Sequence, residues 1–196
     1  MRVRILSGNS SSRPGNELTE LELLKLVRSG DSKGMRAFYE RYAGYLTAVC
    51  SRYVVDRSDV KDILQDAFVK IFQRLDQFEY RGEGSVKAWV SRIVVNDSLS
   101  FLHASSRLTF VDDLPDVPED DEPSLPKVPP AVIQEMIKAL PDGYRTVFNL
   151  YVFEKKSHKE IASLLGIKED SSASQFFRAR ATLAKNIKDY IKEHEQ

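Results

Sequence analysis

The chain has 196 residues, 42% hydrophobic and 30% charged, with 29 basic and 29 acidic side chains and a formal net charge of zero. That size suits one ordinary domain or two small ones, and the balance of residue types excludes a fibrous or wholly disordered chain. A zero net charge excludes a uniformly basic nucleic-acid binder, and the single Cys50 excludes an internal disulfide, so what matters is where the charges lie.

They are not evenly spread. Residues 1–104 carry 16 basic against 13 acidic side chains, residues 105–131 carry 2 against 7, and residues 132–196 carry 11 against 9. Two mildly basic blocks thus flank an acidic joint, a pattern compatible with two DNA-touching domains and a linker between them. The first 16 residues, MRVRILSGNSSSRPGN, have no apolar run longer than Ile5-Leu6. They make neither a secretory signal nor a transmembrane span, and a flexible tail on a cytoplasmic protein is expected.

In chain order, a first helix is predicted from about Glu17 to Ser29. Leu18, Leu21, Leu24 and Leu26 or Val27 face inward, and Thr19 with Glu22 forms a capping box if the first turn frays. A second helix runs from about Lys33 to Val55, with Met35, Phe38, Tyr39, Tyr42, Leu46, Val49 and Tyr53 on its inner stripe and Cys50 as a core thiol. A third runs from about Ser58 to Leu75. Val60, Ile63, Leu64, Ala67, Phe68, Ile71, Phe72 and Leu75 repeat at helical spacing, and the far face carries Asp59, Asp62, Gln65, Asp66 and Gln73 around an apolar Val69. A polar, aromatic loop, Phe78 to Ser85, leads into a fourth helix from about Ser85 to Ala104, with Val86, Trp89, Val90, Ile93 and Val94 inside. No long alternating pattern occurs, so residues 17–104 read as an all-helical bundle.

Residues 105–130, SSRLTFVDDLPDVPEDDEPSLPKVPP, hold six of the eight prolines and seven acidic residues. Missing backbone donors and like-charge repulsion make this an extended, disordered linker. Residues 131–196 form a second domain. A short helix opens at Pro130, and a second runs from about Asp142 to Phe153, burying Val147, Phe148 and Tyr151. Ser157 and Glu160 fit a capping box for a short helix that stops at Gly166. Ser171 offers the cap for a long last helix to about Glu193.

Three groups of residues point to binding. Short helix, glycine turn and long basic helix have the proportions of a helix-turn-helix, in which the second helix enters the major groove. Its outward residues near the start are Ser171, Ala173, Ser174, Gln175, Phe177, Arg178 and Arg180, while Lys155, Lys156 and Lys159 sit where a first helix crosses the backbone. A hairpin with a solvated face is the plainer alternative. Asp62, Gln65 and Asp66 beside exposed Val69 suit either solvent or a protein partner. Phe78, Tyr80, Arg81 and Glu83 between two rigid helices suit either a turn or a holder for an unstacked base. No catalytic constellation occurs: His103, His158 and His194 lack metal spacing, and HExxH, GxSxG and phosphate-loop motifs are absent, so neither cofactor nor enzymatic activity is expected.

The stretches AFYERYAGYL, DVKDILQDAFVKIFQRL, FEYRGEGSVKAWVSRIVVN and LPDGYRTVFNLYVFEKKSHKEIASLLGI with SASQFFRARATL stand in the order and spacing of four motifs. Here the chain closely resembles the bacterial sigma factors of the extracytoplasmic-function group, from about Glu17 to Ile191. The resemblance implies a two-domain, all-α protein that binds core RNA polymerase and promoter DNA and directs initiation at a restricted promoter set. The first domain is then the one that docks on the clamp helices of the polymerase largest subunit, through Asp62, Gln65, Asp66, Phe68 and Val69, with Phe68 supporting from inside. It also melts the minus-ten element through Phe78, Tyr80, Arg81, Glu83 and Ser85. The second domain reads the minus-thirty-five element through Lys159, Ser171, Ala173, Ser174, Gln175, Phe177 and Arg178 and meets the flap of the other large subunit. An anti-sigma partner, often membrane-bound, is also implied.

The chain departs from that pattern in places. FLHASSR stands where the family is often rich in Arg and Lys, and Ser172 takes a usually apolar place. Ala173 and Gln175 take places that are often basic, so a shallower salt dependence of DNA binding than for a more basic relative is expected. The acidic Asp112, Asp113 and Asp120 fit a segment that threads a polymerase channel built for phosphates. A stand-alone helix-turn-helix regulator and a helical interaction protein without a DNA role remain the alternatives.

Overall fold

The computed structural model describes residues 18–105, 108 and 128–194. The expected tail, and the acidic residues Asp112, Asp113 and Asp120 of the expected linker, lie outside them. The regular structure of the described residues is helical throughout. The first four α-helices are α1 (Glu20–Arg28), α2 (Ser32–Cys50), α3 (Arg57–Arg74) and α4 (Ser85–Ala104), with one 3-10 turn at Leu75–Gln77.

Local chemistry sets the starts of these helices. The Thr19 hydroxyl accepts from the Glu22 amide and the Glu22 carboxylate accepts from the Thr19 amide, so α1 begins at Glu20. Asp31 caps α2 by accepting from the Lys33 amide at 2.9 Å, and Asp56 caps α3 by accepting from Ser58 and Asp59. Each cap satisfies amides that the helix cannot pair internally. α2 stops at Cys50, earlier than its apolar pattern suggests, because the amides of Tyr53 and Val54 both turn back onto the Cys50 carbonyl.

The bundle core is built from one stripe of each helix. Leu24 of α1, Phe38, Leu46 and Val49 of α2, Ala67 and Ile71 of α3, and Val90 and Val94 of α4 are all buried. Gly34 lets α1 and α2 cross closely, since a Cβ there would stand 2.7 Å from the Leu26 Cβ and 3.0 Å from the Leu26 backbone carbon. Cys50 lies in this core with its sulfur 3.4 Å from the Ser98 hydroxyl, and burial pushes its thiol pKa up, so it stays a neutral packing group. Three residues expected inside are turned outward: Leu21, Met35 and Tyr39 are 37%, 38% and 51% exposed. Leu23 takes the buried place beside Leu24 that Leu21 was expected to fill.

The second group of helices is α5 (Pro130–Lys138), α6 (Asp142–Val152), α7 (His158–Leu165) and α8 (Glu169–His194). Proline opens α5 where its missing N–H costs nothing. Ser157 and Glu160 form the capping box of α7, and Gly166 ends it in the left-handed region at φ 67°. α8 packs along α6 and α7. It starts two residues before Ser171, which therefore lies inside the first turn and not at the cap.

The two groups touch. Val147, Leu150, Ile161 and Leu165 join the same apolar cluster as the first bundle. Just past the end of α2, the Arg52 carbonyl accepts from the Asn149 side-chain Nδ2 at 2.6 Å and the Tyr53 carbonyl accepts from Arg145 at 3.1 Å. Arg52 in turn lies over the Phe153 ring, 4.4 Å from its centre, and 3.9 Å from Glu154.

Candidate nucleic-acid interface

The outer face of α3 presents Asp62, Gln65 and Asp66, all exposed, next to Val69 at 55% exposure. Phe68 is buried beneath them, and the outward Tyr39 ring packs on it at 4.7 Å. Met35 lies one turn before Tyr39. Val69 is thus an exposed apolar side chain within a polar, acidic face of α3, and Met35 and Tyr39 are exposed on α2, Tyr39 against Phe68. Helical period alone had assigned Met35 and Tyr39 to the core; they sit at the border of the stripe.

The loop after α3 is shaped from within. The Ser85 hydroxyl accepts from the Arg81 amide at 3.2 Å and donates to the Gly82 carbonyl at 2.6 Å, closing a tight turn. Gly82 and Gly84 take φ values of 113° and 85°, which other residues rarely adopt. Phe78 packs on Trp89 at 4.9 Å, so Trp89 lies at the edge of the loop and is only partly buried. Arg81 and Glu83 are exposed, Arg81 pairing with Glu79 at 2.9 Å and Glu83 lying 3.7 Å from Arg41. Burial and the neighbouring Glu83 raise the Tyr80 pKa, which keeps its hydroxyl a hydrogen-bond donor.

Two residues of α1 that the sequence did not single out hold this loop. Glu20 is only 4% exposed. Its carboxylate accepts from the amides of Gly84 at 2.8 Å, Lys87 at 3.3 Å and Val86 at 3.4 Å, and from the Tyr42 hydroxyl at 2.9 Å. Burial and then this bond push the Tyr42 phenol above the ordinary tyrosine range. At the other end, Arg28 donates to the Leu75 carbonyl at 3.1 Å and to the Phe78 carbonyl. The one available signal was Gly84, a helix N-cap with no side chain to do the capping.

In the helix pair α7–α8, Gly166 donates to the Ala162 carbonyl, and buried Ala162 allows the tight crossing. Ala173, Ser174, Phe177 and Arg180 are exposed, Ser171 and Arg178 partly so, and Lys159 lies exposed on α7. Gln175, expected to face outward, is buried instead. It is 1% exposed and falls on the inward stripe with Ser172, Ala179, Leu183 and Ile187, so it does not face a groove. Polarity had placed it outside, but the 3.6-residue period, set by its neighbours, places it inside. Ser172, fully buried, lies with its hydroxyl 3.0 Å from His158 Nδ1, and the His158 ring stacks on Tyr151 at 4.8 Å. Tyr151, expected in the core, is 39% exposed as the outer layer of that stack.

Comparison with known proteins finds two family models on this chain. Residues 38–108 match the model of Sigma-70 region 2, and residues 131–183 match that of Sigma-70, region 4. The chain belongs to the sigma-70 family. It is a sigma factor of the extracytoplasmic-function (ECF) type. The ECF RNA polymerase sigma-E factor of Haemophilus influenzae is 27% identical over 185 residues, covering 87% of this chain and 96% of that one. The ECF RNA polymerase sigma-E factor of Escherichia coli K12 is 27% identical over 190 residues, covering 90% and 98%. A solved chain described as CnrH in complex with the cytosolic domain of CnrY matches with a TM-score of 0.46 and 21% identity, over 85% of this chain and 96% of that one. As a sigma factor, this protein binds core RNA polymerase and promoter DNA and directs transcription initiation. No helix among the described residues is long and apolar enough to cross a membrane, and none of them form a group of three or more metal-ligating side chains.

Proposed function

We propose a division of labour between the two groups of helices. Residues 17–104 grip the polymerase and the melted minus-ten strand; residues 131–196 read the minus-thirty-five duplex. Asp62, Gln65, Asp66 and Val69, with Phe68 as their internal support, dock on the clamp helices of the largest subunit. Phe78, Tyr80, Arg81 and Glu83 hold an unstacked base, while Ser85 closes the turn that presents them. Lys159 meets the DNA backbone; Ser171, Ala173, Ser174 and Phe177 meet base edges, with Phe177 suited to a thymine methyl, and Arg178 takes a guanine or a phosphate. The second unit also meets the flap of the other large subunit. An anti-sigma protein that covers these surfaces is the implied regulator, and the factor works in the cytoplasm, where the polymerase is.

The mechanism is differential binding, with no chemistry of its own. Pulling a base from the stack costs a few kcal/mol, and a preformed pocket offsets that cost only in the opened state. The phosphodiester chemistry stays with the polymerase. The linker between the end of α4 and Pro130, the 25 residues 105–129, can span at most about 83–90 Å when extended. Its acidic side chains suit a channel lined for phosphates.

The observation that carries this reading is Val69, exposed among Asp62, Gln65 and Asp66 on the outer face of α3, because an apolar side chain set in a polar, acidic surface suits a protein-binding face. Run-off transcription with core enzyme on genomic fragments, followed by mapping of the start sites, tests it. Initiation at discrete positions is expected; its absence at every position overturns the reading. A helix-turn-helix regulator acting alone needs no region 2, and the match over residues 38–108 speaks against that alternative.

A further inference from the structure

The base-holding loop is tethered at its two ends by one short helix that contributes nothing to the loop's outer face. Glu20 and Arg28 are the first and last residues of α1, which at 1.5 Å per residue places them about 12 Å apart. Glu20 binds the end of the loop and Arg28 its beginning. The family model for region 2 begins at residue 38, beyond α1.

The chemistry at each end is specific. α4 opens on Gly84, which has no side chain to cap the first turn. Three amides there point at a single buried carboxylate from a helix 64 to 67 residues earlier. A carboxylate at a helix N-terminus is favoured by unpaired N–H groups and by the helix dipole. With water excluded, the Glu20 position is fixed further by the Tyr42 hydroxyl. At the loop's beginning, Arg28 reaches the carbonyls of Leu75, which opens the 3-10 turn that leaves α3, and Phe78, which caps it. Arg41 adds a third tie from α2, lying 3.7 Å from Glu83 and donating to the Leu18 carbonyl ahead of α1.

We propose that α1 is a brace for base capture: Glu20 and Arg28 are positioning residues that fix the two ends of the Phe78–Ser85 loop, so that Tyr80, Arg81 and Glu83 are ordered before DNA arrives. This rests on the base-holding reading of that loop. A loop held in its binding shape loses little freedom on binding, and the saving appears as selectivity for the captured base. A slack loop still touches DNA, through phosphates, but no longer tells a base from an empty place.

The test uses the full chain bound to core polymerase and promoter forks whose minus-ten segment is single-stranded. Each fork is compared with versions lacking one base. Wild type is expected to lose roughly tenfold or more in affinity at the captured position, the scale of one lost stacking contact. In Glu20→Gln and in Arg28→Ala that penalty is expected to shrink to under about threefold, with affinity for core polymerase unchanged; Arg28→Lys, which keeps one donor, is expected to recover part of it. Arg28 is exposed, so its variant stays folded even where changes at buried Glu20 do not. Variants that keep the full wild-type penalty while only melting at lower temperature overturn the brace. A wild type with no penalty at any position overturns the loop reading itself, a separate result.

Discussion

Arg145 of α6 donates to the main-chain carbonyl of Tyr53, 92 residues earlier, at 3.1 Å. The same guanidinium donates to the carbonyls of Lys138 and Leu140 and pairs with Asp142, and only 3% of the residue is exposed. One buried cation therefore closes the α5–α6 turn and fastens the second group of helices to the end of α2. Asn149, fully buried, repeats the fastening at the Arg52 carbonyl.

Removing that cation leaves several buried acceptors unpaired. Arg145→Ala is expected to lower stability by about 3 kcal/mol, measured by urea unfolding. Asn149→Ala touches only the joint between the groups, so it is expected to separate them at a smaller cost in stability. Small-angle scattering of the free protein should show a larger radius of gyration for Asn149→Ala than for wild type. Equal radii would show that the apolar contacts of Val147, Leu150, Ile161 and Leu165 hold the joint alone.

On the proposed division of labour, the docked arrangement is expected to open on the promoter. Two units of roughly 30 Å each span about 60 Å, whereas elements about 25 base pairs apart lie roughly 85 Å apart on B-DNA. Dyes on Glu40→Cys and Ser163→Cys, both exposed positions, should move apart when the factor joins core polymerase and promoter. An unchanged distance would require the two elements to be brought together by DNA bending.

Gln175 distinguishes a groove-facing helix from a merely polar one. Its side-chain oxygen has no partner among the described residues, and it lies on the stripe of Ala179 and Leu183. Gln175→Met is expected to leave binding to a minus-thirty-five duplex unchanged and to hold or raise the melting temperature, since it removes an unsatisfied polar group. Phe177→Ala, at a 40% exposed position, is expected to weaken that duplex by roughly 1–2 kcal/mol while leaving stability nearly unchanged. Titrations of both variants on one duplex decide the matter.

These residues also show what was legible beforehand. The two capping boxes, Thr19 with Glu22 and Ser157 with Glu160, were readable because a cap is a local event, fixed within four residues. The α4 bounds, Ser85–Ala104, were readable for the same reason, a glycine loop before and a polar stretch after. Met35 and Tyr39 were misplaced because period gives a stripe, while its edges depend on which neighbour packs there. Glu20 and Arg145 were missed because charge is taken by default as surface, and their partners are main-chain groups far away in sequence. Main-chain carbonyls and amides have no sequence signature.

The α3 face provides a test of docking. Val69→Asp places a charge at the exposed apolar position of that face, and Asp66→Lys reverses a charge beside it. Core polymerase pull-down is expected to weaken more than tenfold for Val69→Asp and to a lesser degree for Asp66→Lys. The Asp66→Lys loss should shrink at high salt, because an exposed charge contact is screened within a Debye length, while the Val69→Asp loss should persist. Because both side chains are exposed, helical content and melting temperature should match wild type. A parallel fall in all three measurements would mark the face as structural.

The capping boxes give the protein an acid sensitivity with a definite sign. Hydrogen bonds, first from the Ser157 backbone and then from its hydroxyl, lower the Glu160 pKa below its ordinary 4.5, and those of Thr19 do the same for Glu22. A carboxyl group whose folded-state pKa is depressed stabilises the fold above its unfolded-state pKa. That contribution is lost as pH falls through the depressed folded value. Glu160→Gln keeps an acceptor for the Ser157 amide but loses the charge and its titration. The melting temperature of wild type should therefore exceed that of Glu160→Gln at pH 7, and the gap should close as pH falls from about 5 towards 3. Both groups are exposed, so the gap is small and should narrow further in high salt. A gap that instead widens towards acid would mean that the neutral carboxyl, rather than the carboxylate, is the form that caps α7.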